Sequence, residues 1–302
     1  MGPEITVAIP TYNREAVLID TIRDVLSQGH RNLELLVLDQ TKTHRPETRA
    51  SLDLIRDDRL RYFRISPPSV SAARNFALRR ARAAFVVFVD DDVRMSPELV
   101  GVHLQAIRGR PELGAVAGRV LQDGFPIGRD VLRFDRFAMT HGMFTATEPG
   151  FTNAFPGGNF CVRVADALSL GGFDTRYRGN SFREENDLSV RMAEAGRLIY
   201  FEPRAVLTHL AASEGGCRGR TPLYEDSGFY GNELFFTLRL ARGRDRLEAL
   251  QRKYRAYCFP GRNLAAWRRR GIFFRGLAAA AWRVCFGRQI SAREVAPREE
   301  VR

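Results

Sequence analysis

Apolar strands alternate with helical stripes along the first ninety residues, and this rhythm constrains the fold more than any other feature of the chain. "ITVAI" (5–9) reads as a buried strand stopped by Pro10, and "EAVLIDTIRDVLSQ" repeats apolar residues at Val17, Leu18, Ile22, Val25 and Leu26. "LELLVLD" (33–39) predicts a second strand, 46–56 a second helix and "LRYFRI" (60–65) a third strand. "SVSAARNFALRRARAA" predicts a helix capped by Ser69 or Ser71 that delivers the chain into the strand "FVVFVD" (85–90). Alternation at this spacing dictates an α/β fold, a Rossmann-like, mostly parallel, doubly wound central sheet flanked by helices.

Ligands of such sheets sit beyond the carboxyl ends of the strands. That rule selects Pro10-Thr11-Tyr12-Asn13, Asp39-Gln40-Thr41 and Asp90-Asp91-Asp92 as three polar stations converging on one crevice. Three adjacent carboxylates raise one another's pKa and repel unless a cation neutralises them, so the cluster is a candidate divalent-metal site. Strand-end acids also serve as turn or helix caps, and Ser96 before Pro97 offers such a cap.

The second half is less regular. Residues 122–156 carry Gly, Pro and aromatics without a clear period, which predicts a long excursion from the sheet. After "FPGGNFCVRV", "ADALSLGGFD" predicts a short helix ending at glycine, and "REENDLSVRMAEAG" a helix ended by Gly196. "RLIYFEPRAVLTHL" reads as a strand broken at Pro203, and "AASEGGCRGR" (211–220) as a loop.

Charge divides the chain. The formal net charge is +12, yet residues 241–302 hold 16 Lys+Arg against 5 Asp+Glu while residues 1–240 hold 31 against 30. A neutral body with a cationic appendage is expected, rather than a protein that coats nucleic acid. Cys161, Cys217, Cys258 and Cys285 form no CxxC pair, so neither a zinc site nor a disulfide framework is signalled, and a reducing cytoplasm suits them. No secretory leader opens the sequence, and no apolar run approaches the roughly 20 residues that span a bilayer. A soluble or peripherally attached protein is expected.

Six ordered stretches carry a resemblance: "VAIPTYNR" (7–14), "LLVLDQT" (35–41), "SAARNFAL" (71–78), "FVVFVDDD" (85–92), "GGNF" (157–160) and "GGFDTRYRGNSFREENDLSVRMAEAGRLIYFEPRAVLTH" (171–209). Together, over roughly 5–210, the chain resembles the family 2 glycosyltransferases of the GT-A fold. The resemblance implies a catalytic domain over 1–240, its first 120 residues binding a nucleotide sugar and 121–240 the acceptor, with a basic helical extension over 241–302. It implies that Pro10, Thr11, Tyr12 and Asn13 hold the base and ribose, that Asp39 accepts a hydrogen bond from the base, and that Arg74 lies near the nucleotide and diphosphate. Tyr12 could stack on the base or simply be a buried strand-end aromatic, and Arg74 could equally be an exposed helical arginine. Gln40 and Thr41 depart from the commoner "DDGS" or "DNGS", which leaves the base identity open.

The resemblance gives Asp92 direct contact with Mn²⁺ or Mg²⁺, Asp90 and Asp91 support of it or contact with ribose and sugar, and His209 an approach to the metal or diphosphate. It places the general base in an acidic pair opening a helix, here Glu184-Glu185, with Glu185 where an aspartate is usual and Glu184 and Asp187 as alternatives. Acids are also favoured in the first turn of any helix by its dipole. Gly157, Gly158 and Asn159 should shape the acceptor pocket, with Asn159 bonding a hydroxyl. Arg218 or Arg220 could supply charge from the loop after His209. One base assisting direct attack implies inversion, and the lack of a QxxRW motif implies addition of a single sugar to a hydroxyl acceptor on a glycan, a small molecule or a lipid carrier.

Within 263–288, Trp267, Phe273, Phe274, Leu277, Trp282 and Phe286 alternate with Arg268, Arg269, Arg270, Arg275, Arg283 and Arg288. That pattern fits a helix lying on an anionic membrane surface, or one packed on the body or on a second subunit of a homo-oligomer. A sugar-phosphate nucleotidyltransferase would show a glycine-rich, arginine-containing loop where this chain has "IPTYNRE". A purely membrane- or nucleic-acid-binding module would leave the ordered acids without a purpose.

Overall fold

The computed structural model describes residues 2–216, 226–258, 264–290 and 295–301. In chain order the elements are β1 (Ile5–Thr11), α1 (Ala16–Leu26), β2 (Leu33–Asp39), α2 (Pro46–Leu54), β3 (Leu60–Ser66), α3 (Val70–Arg80), β4 (Phe85–Val89), β5 (Val93–Met95), α4 (Leu99–Ile107) and β6 (Leu113–Leu121). They continue with β7 (Arg133–Phe134), β8 (Thr140–His141), β9 (Gly150–Thr152), β10 (Asn159–Arg163), α5 (Val164–Ser169), α6 (Glu184–Glu194) and β11 (Leu198–His209). The last elements are α7 (Ser227–Leu240), α8 (Asp245–Cys258), α9 (Leu264–Phe286) and β12 (Ala296–Val301).

The main sheet runs β12-β3-β2-β1-β4-β10-β6-β11-β5, with β9 added to β11. Residues of β1 and β2 are buried on both faces, which is why these strands read as unbroken apolar runs. Period-two alternation sends Val7, Ile9, Leu35 and Val37 to one face, against Leu18, Ile22 and Val25 of α1 and Leu99, Val100 and Leu104 of α4. Ala8, Leu36 and Leu38 point to the other face, against Ala73, Phe76 and Ala77 of α3. Each such Leu, Ile or Val contributes roughly 1.5–3 kcal/mol by leaving water, so the two faces fix both the helices and the strand register.

The parallel pairing expected from the sequence holds for β1 with β2 and β4 and for β2 with β3. The sheet as a whole is mixed, because β10 inserts antiparallel between β4 and β6. Helix α3 is capped by Ser69, whose side chain accepts from the Ala72 N–H. Ser96 does not cap α4: the helix begins at Leu99 and the buried Ser96 hydroxyl caps nothing. Nor does Pro203 break its strand. β11 runs through it and absorbs the missing donor in a register shift between Glu202 and Val206.

The cationic appendage is packed on the body. Phe229, Tyr230, Leu234, Phe235 and Phe236 of α7 share one core with Ile272, Phe273 and Ala280 of α9 and with Phe134, Tyr177 and Val190. The helices cross closely at Gly276, where a Cβ would stand 2.5 Å from the Tyr230 Cβ. No described helix is long and apolar enough to cross a membrane.

Candidate active site

Parallel pairing places Thr11 opposite Asp39, and β4 beside β1 brings Asp90–Asp92 to the same sheet edge. The acid cluster already has a cation there. Arg14, four per cent exposed, donates from Nε to Asp91 Oδ1 at 2.9 Å and from Nη2 to Asp92 Oδ2 at 2.8 Å. Sequence reasoning missed Arg14 as a site residue, although it closes the first quoted block; strand pairing between distant segments had to juxtapose it with the acids. Asp91 is buried, and burial pushes its carboxyl up to about 6 against the Arg14 charge. Asp92 lies below the usual carboxylate range: burial would raise it, but the His209 hydrogen bond, the His209 and Arg14 charges and the Ala212 N–H outweigh that effect.

His209 Nε2 faces Asp92 Oδ1 at 3.3 Å, while its Nδ1 lies 2.9 Å from Gln122 Oε1. With Nδ1–H donating to Gln122, Nε2 is left facing a carboxylate oxygen, a pair of acceptors that a metal cation between them would satisfy. No group of three or more His, Cys, Asp or Glu side chains among the described residues is arranged to hold a metal ion. Asp92 and His209 are the residues here that could hold a hard divalent ion taking its other ligands from phosphate and water.

The loop after His209 folds back on this corner. Leu210 N–H donates to Asp92 O, Ala212 N–H to Asp92 Oδ2, Gly216 N–H to Tyr12 O, and Arg14 Nη1 donates to the carbonyls of Ala212 and Glu214. Arg218 and Arg220 lie outside the described residues.

Of the first-strand residues, Pro10 and Thr11 are buried, Tyr12 is half-buried, and Asn13 is exposed with φ 53° and its N–H on Thr41 Oγ1. Asp39 is fully enclosed: Oδ1 accepts from Thr41 N–H, and Oδ2 accepts from Tyr62 Oη–H at 2.6 Å and lies 2.9 Å from His44 Nε2. Burial would raise Asp39, yet its bonds to His44, Tyr62 and Thr41 hold it below the ordinary range, and the same contact with Asp39 raises His44. Sequence reasoning did not find His44, because nothing in its local pattern marks it.

Arg74 is not an exposed helical arginine. It is three per cent exposed, sits 5.3–5.8 Å from the ring centroids of Phe88, Phe160 and Phe173, pairs directly with Glu184, donates to Gly157 O and lies 3.7 Å from Asp90. Its Nη1 and Nη2 are taken up by Glu184 and Gly157, and its buried Nε has no hydrogen-bond partner among the described residues, so neither Nη is turned to a diphosphate in this arrangement. It instead joins the acid cluster on β4 to the first turn of α6.

That turn is set by Arg183, held at φ 76° with Nε donating to Glu233 Oε2 at 2.7 Å. Glu233 is buried on α7 and also pairs with Lys253 of α8. Glu184 is buried, whereas Glu185 is half-buried with Oε1 accepting from Asn186 Nδ2. Burial raises both carboxyls against the opposing Arg74 charge. Asp187 is a structural residue: it is buried and bonded to Tyr177, Arg191 and Arg239. Asn159 is corrected in the same way. It is fully buried, its Nδ2 donates to Arg119 O and Ala205 O, and its Oδ1 meets His103, so no group is left for an acceptor.

A cavity of about 290 Å³ opens beside these groups, lined by Asp90, Gly157, Gly158 and His209 on its polar side and by apolar residues including Val120, Phe125 and Phe144. A Cβ on Gly158 would stand 2.4 Å from Asp90 Cγ, so glycine is required where the loop meets the acid.

Residues 6–155 match the family model described as Glycosyl transferase family 2. The chain belongs to glycosyltransferase family 2. Among curated family relatives, the putative teichuronic acid biosynthesis glycosyltransferase TuaG of Bacillus subtilis is 30% identical over 132 residues, 42% of this chain and 52% of that protein. An uncharacterized glycosyltransferase of Rickettsia felis is 31% identical over 102 residues, 34% of this chain and 17% of that protein. The chain thus spans about half of one relative and a sixth of the other. The crystal structure of GalNAc-T7 with UDP, GalNAc and Mn²⁺ superposes with a TM-score of 0.63 at 14% identity, covering 93% of this chain and 57% of that one. The fold of this family member is GT-A.

Proposed function

We propose that this chain moves one sugar from a nucleoside-diphosphate sugar to an acceptor hydroxyl, with inversion at the anomeric carbon. The observation that carries this reading is the Arg74 bridge, which holds Asp90 of the acid cluster and Glu184 of the α6 turn beside one another. A leaving-group end and a base end are thereby presented together.

In this reading the strand-end loops 10–13 and 39–44 receive the nucleoside, with Tyr12 the half-buried aromatic available for stacking. Glu185, half-buried and with its carboxyl raised by burial, removes the acceptor proton; the freed oxygen attacks the anomeric carbon, and the bond to the diphosphate breaks with its electron pair leaving on phosphate. Glu184, tied to Arg74, holds the turn and is the second candidate. Asp92 and His209 would hold a divalent cation, Mn²⁺ or Mg²⁺, which when bound neutralises charge developing on the departing diphosphate. The Mn²⁺ named for the GalNAc-T7 structure supports a metal of this kind. Gly157 and Gly158 leave room for a sugar ring beside Asp90. The teichuronic acid biosynthesis for which TuaG is named supports a cell-envelope polysaccharide as the product class.

The test is a panel of UDP, GDP and dTDP sugars with and without Mn²⁺, read by thermal shift and by turnover, in wild type, Asp92→Ala and Glu185→Gln. A donor that raises the melting temperature and is turned over only by wild type supports the reading. Unimpaired turnover by Glu185→Gln removes it as the base.

A further inference from the structure

Helix α9 has two faces of different character. Ile272, Phe273, Gly276 and Ala280 face α7 and are buried, which fixes the rotation of the helix about its axis. On the opposite side Trp267, Gly271, Phe274, Ala278, Ala281, Trp282 and Cys285 recur at three- and four-residue intervals, so they form one stripe. The aromatics on it are not half-tucked: Trp267 is 67%, Phe274 57% and Trp282 55% exposed. The two tryptophans are separated by about 22 Å along the helix, and Phe286, also exposed, extends the stripe at its end.

Charge decides what would cover it. Residues 264–290 carry six arginines and no acid. Arg268 and Arg275 are exposed along one edge of the stripe, and Arg270 stacks over the Trp267 ring at 4.7 Å on the other side. A second copy of the chain meeting this face in a two-fold dimer would set these arginines against their own equivalents. A surface of negative headgroups over hydrocarbon matches both the cationic edges and the apolar middle. Tryptophan is the side chain most at home at that boundary.

We propose that the outer face of α9 docks on an anionic lipid bilayer, with the helix lying in the plane of the headgroups. The opposite face stays packed on α7, so docking requires no unfolding of the domain. The surface would bring the enzyme to a membrane, but docking itself does not depend on the transfer reaction proposed above.

The test is co-sedimentation of the full chain with phosphatidylcholine vesicles with and without phosphatidylglycerol. Wild type is expected to partition onto the phosphatidylglycerol vesicles and to be released by salt. Replacing the three outward aromatics (Trp267→Ser, Phe274→Ser, Trp282→Ser) should lower the partition on the order of a hundredfold, and Arg268→Glu with Arg275→Glu by roughly tenfold or more. Should the aromatic variant fail to fold, Ala278→Glu with Ala281→Glu places charge on the same stripe in helix-favouring residues and must lower binding as well. Equal binding to both vesicle types, or variants that bind like wild type, would overturn the proposal. So would a wild-type dimer, seen by light scattering without vesicle binding, that the aromatic variant turns into monomer. Vesicle binding is read without donor or turnover, so its failure is separate from failure of the transfer reading.

Discussion

Arg14 Nη2 donates to Asp92 Oδ2 across 2.8 Å, with both side chains almost wholly buried. The acid cluster is therefore partly neutralised from within the protein, and Asp92 keeps its other oxygen turned to His209.

Removing Arg14 takes the shared counter-charge from two buried carboxylates and leaves Asp92 with His209 and the Ala212 N–H. Arg14→Gln should destabilise the fold by about 3 kcal/mol, and adding Asp91→Asn should return part of that loss. Urea denaturation of the single and double variants checks this.

Metal chelation should lower turnover on the order of a hundredfold or more, with Mn²⁺ restoring it. Asp92→Ala should reproduce the loss without rescue, measured as kcat/KM across a Mn²⁺ titration.

Glu185→Gln should lower kcat by about a hundredfold to ten-thousandfold while leaving donor binding intact. Burial raises the Glu185 carboxyl, and the base acts deprotonated, so the acidic limb of the wild-type rate profile should lie above the ordinary glutamate value of 4.5. A pH–rate profile in the variant should lack that limb.

The Glu233 carboxyl is shifted in the opposite direction. Its carboxyl is fully buried, which would raise it, but the Arg183 and Lys253 charges hold it at about 2 against an ordinary 4.5. The stabilisation is present above about pH 4.5 and is lost as pH falls toward 2. Thermal melts should show this decline in wild type. Glu233→Gln should melt lower at neutral pH, by roughly 3 kcal/mol in stability, with a flatter dependence below pH 4.5.

Gly276→Leu should push α9 from α7, because the added Cβ would stand 2.5 Å from the Tyr230 Cβ. A destabilisation of about 1–3 kcal/mol is expected, measurable by the same melts.

The sequence by itself determined the sheet's first half, the stations at its strand ends and the helix bearing Glu184 and Glu185. Period-two burial, a capping serine at Ser69 and the stop at Gly196 act over a few residues, so local pattern specifies them. Only tertiary structure decided the occupancy of those stations. Arg14 lies 78 positions from Asp92, His44 and Tyr62 saturate Asp39, and Arg74 crosses 110 positions to Glu184. The bonds that made Asp187 and Asn159 structural, and the packing that left one side of α9 bare, likewise join distant segments. Polar groups carry no mark in sequence of which partner will take their bonds; that depends on which segments the packed sheet brings within about 3 Å.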